Sequence, residues 1–584
     1  MKYLIKIIYI YKLPKMEGDK KKEPPVANNA YKKRVYESLK LFQSEIPHYA
    51  ILTTFYKMKG NSISSYYYGI IYLTNFRFIF GTLENFSEKY KEDYFYIPYL
   101  LIKNINSQSL TYNNVLILEL KDGRTLQFNI NDNQSIFFKL NEKMIKKTNA
   151  FDFPLLFNNY LKNKDIIKDG WKIYDLEKEF KRQGLTFDDS CPFKISSINK
   201  GFRYIATYPE LLIEPKNIND NILLDASNYR NLGRIPTLSY YYNNLADDKG
   251  KQQLISGIWL SSDCKVGFFN NKNDQDINLI NEIQNLGNKL FIYDARSKIH
   301  ANANKIRGGG YENVDNYQLE NKKKPELIFC NIGNVDDAQK ALNNLQIIFN
   351  DENLLINTKF LSQLEKSEWP YFICTILKRS REISQLVSKG NNVLIHCTKG
   401  WDRTPQLVAI SEILLDPYYR TFEGFAVLIE KDFLSFGHQF ARRNGLVDIK
   451  EEKPDKKKDK KKDEEDEKEE KPAPIFLQFL DCVYQLILQF PSEFEFNSEY
   501  LLFIAKNYNV NIFGTFLFDN EKERNAKKAQ INTASIWTYL LGIEENKAKY
   551  ANASFKKDNA TRILKPNYAL YKYKLWKEYF LKNK

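Results

Sequence analysis

The segment VLIHCTKGWDRTPQLVAISEILL, residues 393–415, joins three patterns in a row. Its apolar start predicts a buried strand that ends at His396, and its apolar end predicts a buried helix. A short loop lies between them, from Cys397 to Arg403. The helix is expected to begin near Pro405, because a proline in the first helical turn lacks only an N–H that would have no partner there. This strand, loop and helix predict an α/β domain.

The loop has the composition of an anion-binding site. Backbone N–H groups of such a loop, together with the N-terminus of the following helix, converge on a small anion. Arg403 adds a planar donor that fits two phosphate oxygens. The same positive surroundings favour the thiolate of Cys397, which is the nucleophilic form. The pattern therefore predicts attack of Cys397 on phosphorus and a phosphocysteine intermediate.

Asp402 is the candidate acid and base of this reaction. An alkoxide leaving group needs a proton, and the ionised acid could then activate the water that hydrolyses the intermediate. The alternative for any single cysteine is a buried structural role, and a cysteine and an arginine with five residues between them can arise by chance. Here the strand, Gly400, the acid and the helix start occur in one register, which favours catalysis.

Composition excludes several other classes of function. Six cysteines, at positions 191, 264, 330, 374, 397 and 482, show no disulfide spacing and no CxxC pair, which indicates a reducing compartment. Four histidines without HExxH or paired spacing predict neither a metal site nor a metal cofactor. The net charge of +15 fits an electropositive surface for phosphate-bearing partners. It fits equally well the high Lys and Asn usage of a compositionally biased genome.

The chain divides into several regions by pattern. Residues 1–40 are predicted to be a flexible start whose apolar run, broken by Lys6, is shorter than the ~20 residues of a membrane span. Short β-rich runs with a hairpin turn at Asp122-Gly123 predict a small all-β domain over 41–150. An α/β domain is expected over 151–584. The charged stretch 450–472 is predicted to be a disordered insertion, with a basic lipid-binding stripe as the alternative.

The loop HCTKGWDRTPQ closely resembles the myotubularin signature, usually HCSDGWDRT. The tryptophan after the glycine and the acid before the arginine distinguish it from ordinary protein tyrosine phosphatases. The resemblance continues through GRIPTLSYYY (233–242), YDARSKIHANANKIRGGGYE (293–312) and EGFAVLIEKDFLSFGHQFARRNG (423–445). In the N-terminal region, YGIIYLTNFRFIF resembles the GRAM variant of the pleckstrin-homology fold. The implied architecture is an α/β cysteine-phosphatase domain, with a central mixed sheet flanked by helices, preceded by a small all-β PH-GRAM domain.

The resemblance also implies a reaction, which is removal of the 3-phosphate from phosphatidylinositol 3-phosphate or phosphatidylinositol 3,5-bisphosphate without a cofactor. The implied partners are phosphoinositide lipids of endosomal or vacuolar membranes, bound peripherally from the cytoplasm, and not nucleic acid. Homo- or hetero-oligomers with other myotubularins are also compatible with the family. Cys397, Asp402 and Arg403 would be catalytic. The substrate would be bound by Thr398, Lys399, Gly400, Trp401, Asn304, Asn334, Val335 and Arg443.

Several of these residues have structural alternatives. Asn304 and Asn334 could be turn or cap residues, and Arg443 could be a solvated helix charge. His396 is expected to pack under the loop, and His438 is expected to be a core histidine. The glycines at 308–310 lack nucleotide-loop spacing, so we interpret them as support for the site.

The sequence departs from the family pattern next to the phosphate. Lys399 replaces the usual aspartate and Thr398 the usual serine, which adds positive potential to the loop. Gln439 replaces a basic residue, and Asp336-Asp337 replace a Met-Arg pair, so the rim for additional phosphates is altered. We therefore expect the monophosphate to be handled at least as well as the bisphosphate.

Three other functions remain open from the sequence. A catalytically inactive scaffold is the first, although such members lose the loop cysteine or arginine, which this chain keeps. A protein phosphatase is the second, and a non-enzymatic membrane-binding protein is the third.

Overall fold

The computed structural model describes residues 45, 47–59, 62–82, 96–110, 113–121, 124–130, 136, 139–140, 152–162, 165–243, 255–317, 319–320, 322–350, 360–446, 471–557 and 563–581. It divides into two compact units. The smaller unit comprises residues up to 163 with 509–512 and the C-terminal end from 581, and the larger comprises 164–508 and 513–580. The predicted flexible start, the Asp122-Gly123 turn and all but the last two residues of the predicted insertion lie outside the described residues.

The smaller unit is built on one antiparallel sheet of seven strands in the order β4-β3-β2-β1-β7-β6-β5. Alternate residues of β6 and β7, such as Leu116, Leu118, Leu126 and Phe128, are buried, as expected when one face of a sheet covers a core. The predicted all-β character of this region is confirmed. The strands are β1 (Pro47–Lys59), β2 (Ser62–Thr74), β3 (Arg77–Thr82), β4 (Tyr96–Pro98), β5 (Ile102–Leu110), β6 (Asn113–Leu120) and β7 (Thr125–Asn129).

The larger unit contains the remaining strands, which are β8 (Phe193–Ser196), β9 (Leu212–Pro215), β10 (Thr237–Tyr242), β11 (Ser256–Ser262), β12 (Leu290–Asp294), β13 (Glu326–Phe329) and β14 (Asn392–Cys397). Strands β8 and β9 pair with each other, and the other five form a sheet in the order β10-β11-β14-β12-β13. Only the β10–β11 pair is antiparallel among these five strands. The predicted mixed sheet is therefore present.

The described helices, in chain order, are α1 (Asp152–Leu161), α2 (Leu176–Arg182), α3 (Asp220–Tyr229), α4 (Asp274–Leu286), α5 (Lys298–Ile306), α6 (Val335–Asn350), α7 (Phe360–Lys366), α8 (Trp369–Val387), α9 (Arg403–Leu415), α10 (Phe422–Ile429), α11 (Phe440–Arg443), α12 (Ile475–Gln489), α13 (Ser498–Asn507), α14 (Glu521–Ala526), α15 (Ala529–Asn532), α16 (Ile536–Leu541), α17 (Glu544–Tyr550) and α18 (Lys577–Phe580). A π-helical segment, Glu430–Ser435, continues α10. Within the described ranges, no helix has both the length and the apolar composition needed to cross a membrane.

Strand β14 and helix α9 form the centre of the larger unit. Every residue of both elements is buried, and α9 packs against α8 and α12. The helix begins at Arg403, two residues earlier than predicted, and Pro405 fits there because the first helical turn has no N–H partners. The parallel register pairs Ser262 with Cys397 and Asp294 with His396. The carboxyl ends of β11, β12 and β14 therefore meet at one edge of the sheet, where ligands of α/β proteins commonly bind.

Candidate active site

Cys397 is the last residue of β14, and its side chain is 3% exposed. The backbone N–H of Gly400 points at its sulfur with an N···Sγ distance of 3.3 Å. The loop thus turns back toward the side chain of Cys397, where it begins.

Gly400 has a conformation and a position that other residues tolerate poorly. Its φ is +74°, in the left-handed region. A Cβ atom at this position would lie 2.3 Å from the carbonyl oxygen of Ser261. The loop therefore needs a glycine both for its turn and for its close approach to β11.

A chain of buried charges holds His396, the residue before Cys397. His396 Nε2 lies 2.8 Å from a Glu312 carboxylate oxygen. Arg230 donates to the other Glu312 oxygen at 2.6 Å and binds Asp276 through two bonds of 2.7 and 2.9 Å. Burial alone would lower the pKa of His396, but the charge of Glu312 raises it above its ordinary value. Burial would likewise raise the pKa of Glu312, but His396 and Arg230 hold it well below the usual range.

A second buried network supports the start of the loop. Arg296 binds Asp294 at 2.7 Å and Asp263 at 2.8 Å, and it also donates to the carbonyl of Gly310 at 2.6 Å. The backbone N–H of Asp263 donates to the carbonyl of Thr398 at 3.1 Å. The glycines at 308–310 are thus joined to the loop through Arg296 and Asp263.

Asn304 and Thr398, both predicted to bind substrate, are brought together. The Asn304 side chain, on α5, donates to the Thr398 hydroxyl at 2.9 Å. The Lys399 ammonium lies 5.4 Å from the ring centre of Trp401, close enough for a cation–π interaction. Asn304 therefore contacts the loop from α5, whereas Thr398, Lys399 and Trp401 belong to the loop itself.

Asp402 forms a buried ion pair with Arg443. Two bonds of 2.9 and 2.7 Å join the carboxylate to the guanidinium, and His438 Nδ1 lies 3.3 Å from the same carboxylate. Burial alone would raise the pKa of Asp402, but Arg443 and His438 hold it well below its usual range. The carboxylate is therefore ionised in this structure. The alternative of a solvated helix charge at Arg443 is wrong, because its side chain is only 2% exposed.

The remaining predicted site residues are Arg403, at the start of α9, and Asn334 and Val335, at the start of α6. Arg403 Nη1 is 3.5 Å from the carbonyl oxygen of Ile332, a long contact. Asn334, two residues after Ile332, caps α6 through reciprocal bonds of 2.9 and 3.0 Å with Asp337. Val335 packs against Ala338, Ala473 and Ile475. In this structure Asn334 has the cap role that the sequence left as an alternative.

Several residues that support the loop were not predicted as part of the site, and three of them illustrate why. Arg234 donates to the carbonyls of Gly400 at 3.1 Å and Phe436 at 2.7 Å. His438, expected to be a core histidine, places Nδ1 2.7 Å from the Trp401 carbonyl oxygen. Glu312 contacts His396. Each lies in a largely apolar or glycine-rich stretch, where a charged or polar side chain must find a buried partner.

Residues 153–525 match the family model described as the myotubularin-like phosphatase domain. The chain belongs to the myotubularin family. Myotubularin from Xenopus laevis is 33% identical over 471 residues, which cover 80% of this chain and 72% of that protein. Phosphatidylinositol-3,5-bisphosphate 3-phosphatase MTMR2 from Mus musculus is 33% identical over 71% of this chain and 59% of its own length. The MTMR2 of Gallus gallus is 32% identical over 530 residues, which cover 88% of this chain and 84% of that protein.

In the part of this myotubularin-family chain that the structure describes, no group of three or more His, Cys, Asp or Glu side chains could hold a metal ion.

We predict that Gly400→Ala lowers kcat/KM by about 100-fold or more, since displacing the loop by an ångström misplaces its donors. Gly201→Ala is the matched control, because Gly201 has a φ of +70° but nothing within 4 Å of an added Cβ. The control should lose about 1–2 kcal/mol of stability from backbone strain and keep its activity. Equal activity of the two variants would contradict the role of close approach.

We also predict that Glu312→Gln lowers the free energy of unfolding by about 3–5 kcal/mol, because His396 and Arg230 lose a buried counter-charge. The contribution from His396 is present below its unfolded pKa of about 6.5 and is lost as the pH rises through its raised folded pKa. Denaturant titrations at several pH values measure both effects. Glu177→Gln, which removes an exposed pair with Lys181, should cost about 0–1 kcal/mol. Similar losses for both variants would refute the prediction.

Proposed function

We propose that this chain is a phosphoinositide 3-phosphatase that hydrolyses the 3-phosphate of phosphatidylinositol 3-phosphate and phosphatidylinositol 3,5-bisphosphate through a phosphocysteine on Cys397. The observation that carries the proposal is the return of the Gly400 N–H to the Cys397 sulfur at 3.3 Å, at the N-terminus of α9. Membership of the myotubularin family and the printed activity of the MTMR2 relatives support the choice of substrate.

The 3-phosphate would lie between the loop and the start of α9. The N–H groups from Thr398 to Trp401 and the first turn of the helix would bind its oxygens. Asp402 makes no side-chain cap on this helix, because its carboxylate binds Arg443 instead. Arg403 would bind two phosphate oxygens, and Lys399 would add positive potential. Asn304, Asn334 and Val335 would contact the headgroup.

The reaction would take two displacements on phosphorus. In the first, the Cys397 thiolate forms the S–P bond, the bond from phosphorus to the inositol 3-oxygen breaks, and protonated Asp402 gives that oxygen its proton. In the second, ionised Asp402 takes a proton from water, whose oxygen attacks phosphorus. The S–P bond then breaks, and inorganic phosphate leaves a regenerated thiolate.

The ion pair with Arg443 bears directly on the first step. When a substrate phosphate draws the Arg443 guanidinium toward itself, Asp402 loses its main counter-charge. The burial of Asp402 then favours the neutral acid that the leaving group requires. In this proposal Arg443 both binds phosphate and couples that binding to proton uptake at Asp402.

The altered rim supports our expectation that the monophosphate is handled at least as well as the bisphosphate. Gln439 offers no charge to an additional phosphate. Asp337 accepts a bond within the Asn334 cap, and Asp336 lies 3.5 Å from Lys471, so the cation at this edge is already paired with a carboxylate. Carboxylates repel a further phosphate group.

We assign the sheet β1–β7 to a PH-GRAM domain within the predicted range 41–150, and the phosphatase domain to 151–584. The seven-stranded antiparallel order supports the first assignment, and the family match supports the second. We further propose peripheral association with endosomal or vacuolar membranes from the cytoplasm, where the lipid substrates would lie. Association with itself or with other myotubularins stays a prediction.

We predict that the purified chain releases phosphate from short-chain phosphatidylinositol 3-phosphate and not from isomers lacking a 3-phosphate. Cys397→Ser should abolish the release, because it removes the nucleophile. Malachite-green detection of phosphate measures both. Release from a phosphopeptide alone would indicate a protein phosphatase instead. No release from any lipid by folded protein would indicate the inactive scaffold. In that case, recovery of phosphate release in the Lys399→Asp variant would identify the loop cation as the cause.

We also predict that Arg443→Met shifts the alkaline fall of kcat/KM to higher pH with the lipid substrate. Removing the guanidinium charge raises the pKa of Asp402, so the acid persists to higher pH. An aryl phosphate, whose leaving group needs little protonation, should show no such shift. Arg442→Met is the matched control, because the neighbouring Arg442 pairs with Asp519 at 3.0 Å. An equal shift with both substrates would exclude an effect through Asp402.

A further inference from the structure

Four apolar side chains of the larger unit extend into solvent. Among the described residues, Phe269, Ile299, Ile306 and Phe268 are four of the five most exposed large hydrophobic side chains, with exposed fractions of 85, 80, 76 and 75%. We call these four residues the apolar rim. Single exposed hydrophobic side chains are ordinary, but a cluster of this kind indicates an interaction surface.

The rim is formed by two elements that are bonded to each other. Ile299 and Ile306 are seven residues apart in α5, so they lie on one face of that helix. Phe268 and Phe269 form the tip of a loop, and their rings contact each other edge to face. On one side of this tip, the Gly267 N–H donates to the Gly309 carbonyl at 2.8 Å. On the other side, the Lys305 ammonium donates to the Asn270 side chain, so the tip lies beside the end of α5.

The same helix reaches the active site. Asn304 lies between the two isoleucines in sequence, and its side chain donates to Thr398 in the catalytic loop at 2.9 Å. One short helix therefore connects the apolar rim to the loop that follows Cys397. A surface bound by the rim would lie next to the entrance of the site.

The two chain segments that carry the apolar rim hold charge of one sign. The loop KVGFFNNK (265–272) and the helix with its following residue, KIHANANKIR (298–307), contain five basic residues and no acidic residue. The basic residues are Lys265, Lys272, Lys298, Lys305 and Arg307. An acid that pairs with this set is Asp274, 3.7 Å from Lys272. Aromatic and aliphatic tips surrounded by cations complement the interface of an anionic bilayer, where apolar groups enter the acyl boundary and cations meet phosphates.

We propose that the apolar rim inserts into the interface of an anionic membrane and holds the active site against it. The proposal rests on the proposed function to the extent that the substrate is a membrane lipid. An apolar protein partner would satisfy the four hydrophobic side chains, but it would not account for the excess of basic over acidic residues in the two segments. The membrane accounts for both features with one partner.

The test uses the full chain carrying Cys397→Ser, so that no lipid is consumed, and vesicles of phosphatidylcholine with or without phosphatidylserine. Phe268→Ser with Phe269→Ser should weaken co-sedimentation with the anionic vesicles by about tenfold or more, because two apolar side chains no longer enter the interface. Ile347→Ser with Leu361→Ser is the matched control, because these side chains are 65 and 69% exposed on α6 and α7. The control pair should bind like the parent.

A second readout uses the active chain. The Phe268 and Phe269 double variant should keep its turnover of short-chain, soluble phosphatidylinositol 3-phosphate and lose turnover of the same headgroup in vesicles. Unchanged vesicle binding, or an equal loss in the control pair, would overturn the proposal. Absence of turnover with every lipid would instead refute the proposed function, while the vesicle-binding comparison would still test the apolar rim.

Discussion

The fold places Cys397 at the end of a fully buried strand, and the buried ion pairs around that point make this arrangement stable. His396, the residue before Cys397, contacts Glu312 at 2.8 Å, and Arg230 joins Glu312 to Asp276. A buried charge without a partner would cost several kcal/mol, so these groups stabilise the unit only as a connected set. This set fixes the end of β14, and Arg230 also donates to the carbonyl of Ser262, the β11 residue paired with Cys397.

The ion pair of Asp402, the proposed catalytic acid, with Arg443 can serve two states. With Arg443 bound, Asp402 is ionised and the α9 N-terminus is left without a side-chain cap. That state leaves the first-turn N–H groups available to an anion, but it is the wrong protonation state for donating a proton. A phosphate that attracts Arg443 would correct this. In the proposed reaction, the same ion pair stabilises Asp402 in its ionised form and makes proton donation dependent on substrate.

The sequence was sufficient to predict the elements that rest on local pattern. The strand, loop and helix around Cys397 and the all-β N-terminal sheet follow from apolar periodicity and turn residues, and the structure has them. The mixed sheet was implied by the resemblance to the family and is also present. The contacts of Asn304 with Thr398, of Arg234 with Gly400 and of Glu312 with His396 join residues far apart in the chain. No local pattern specifies such pairs. His438 is buried beside Phe433 and Phe440, as expected of a core histidine, but its contact with the Trp401 carbonyl, 37 residues away, has no local signal either.

The central claim is that Cys397 becomes covalently bonded to the substrate phosphorus. The most direct measurement is rapid acid quenching of the active chain during turnover of phosphatidylinositol 3-phosphate, followed by mass spectrometry of its peptides. We predict phosphate on the peptide that contains Cys397, and more of it when Asp402→Asn slows the second displacement. Turnover with no phosphorylated cysteine, or with phosphate on another residue, would contradict this mechanism.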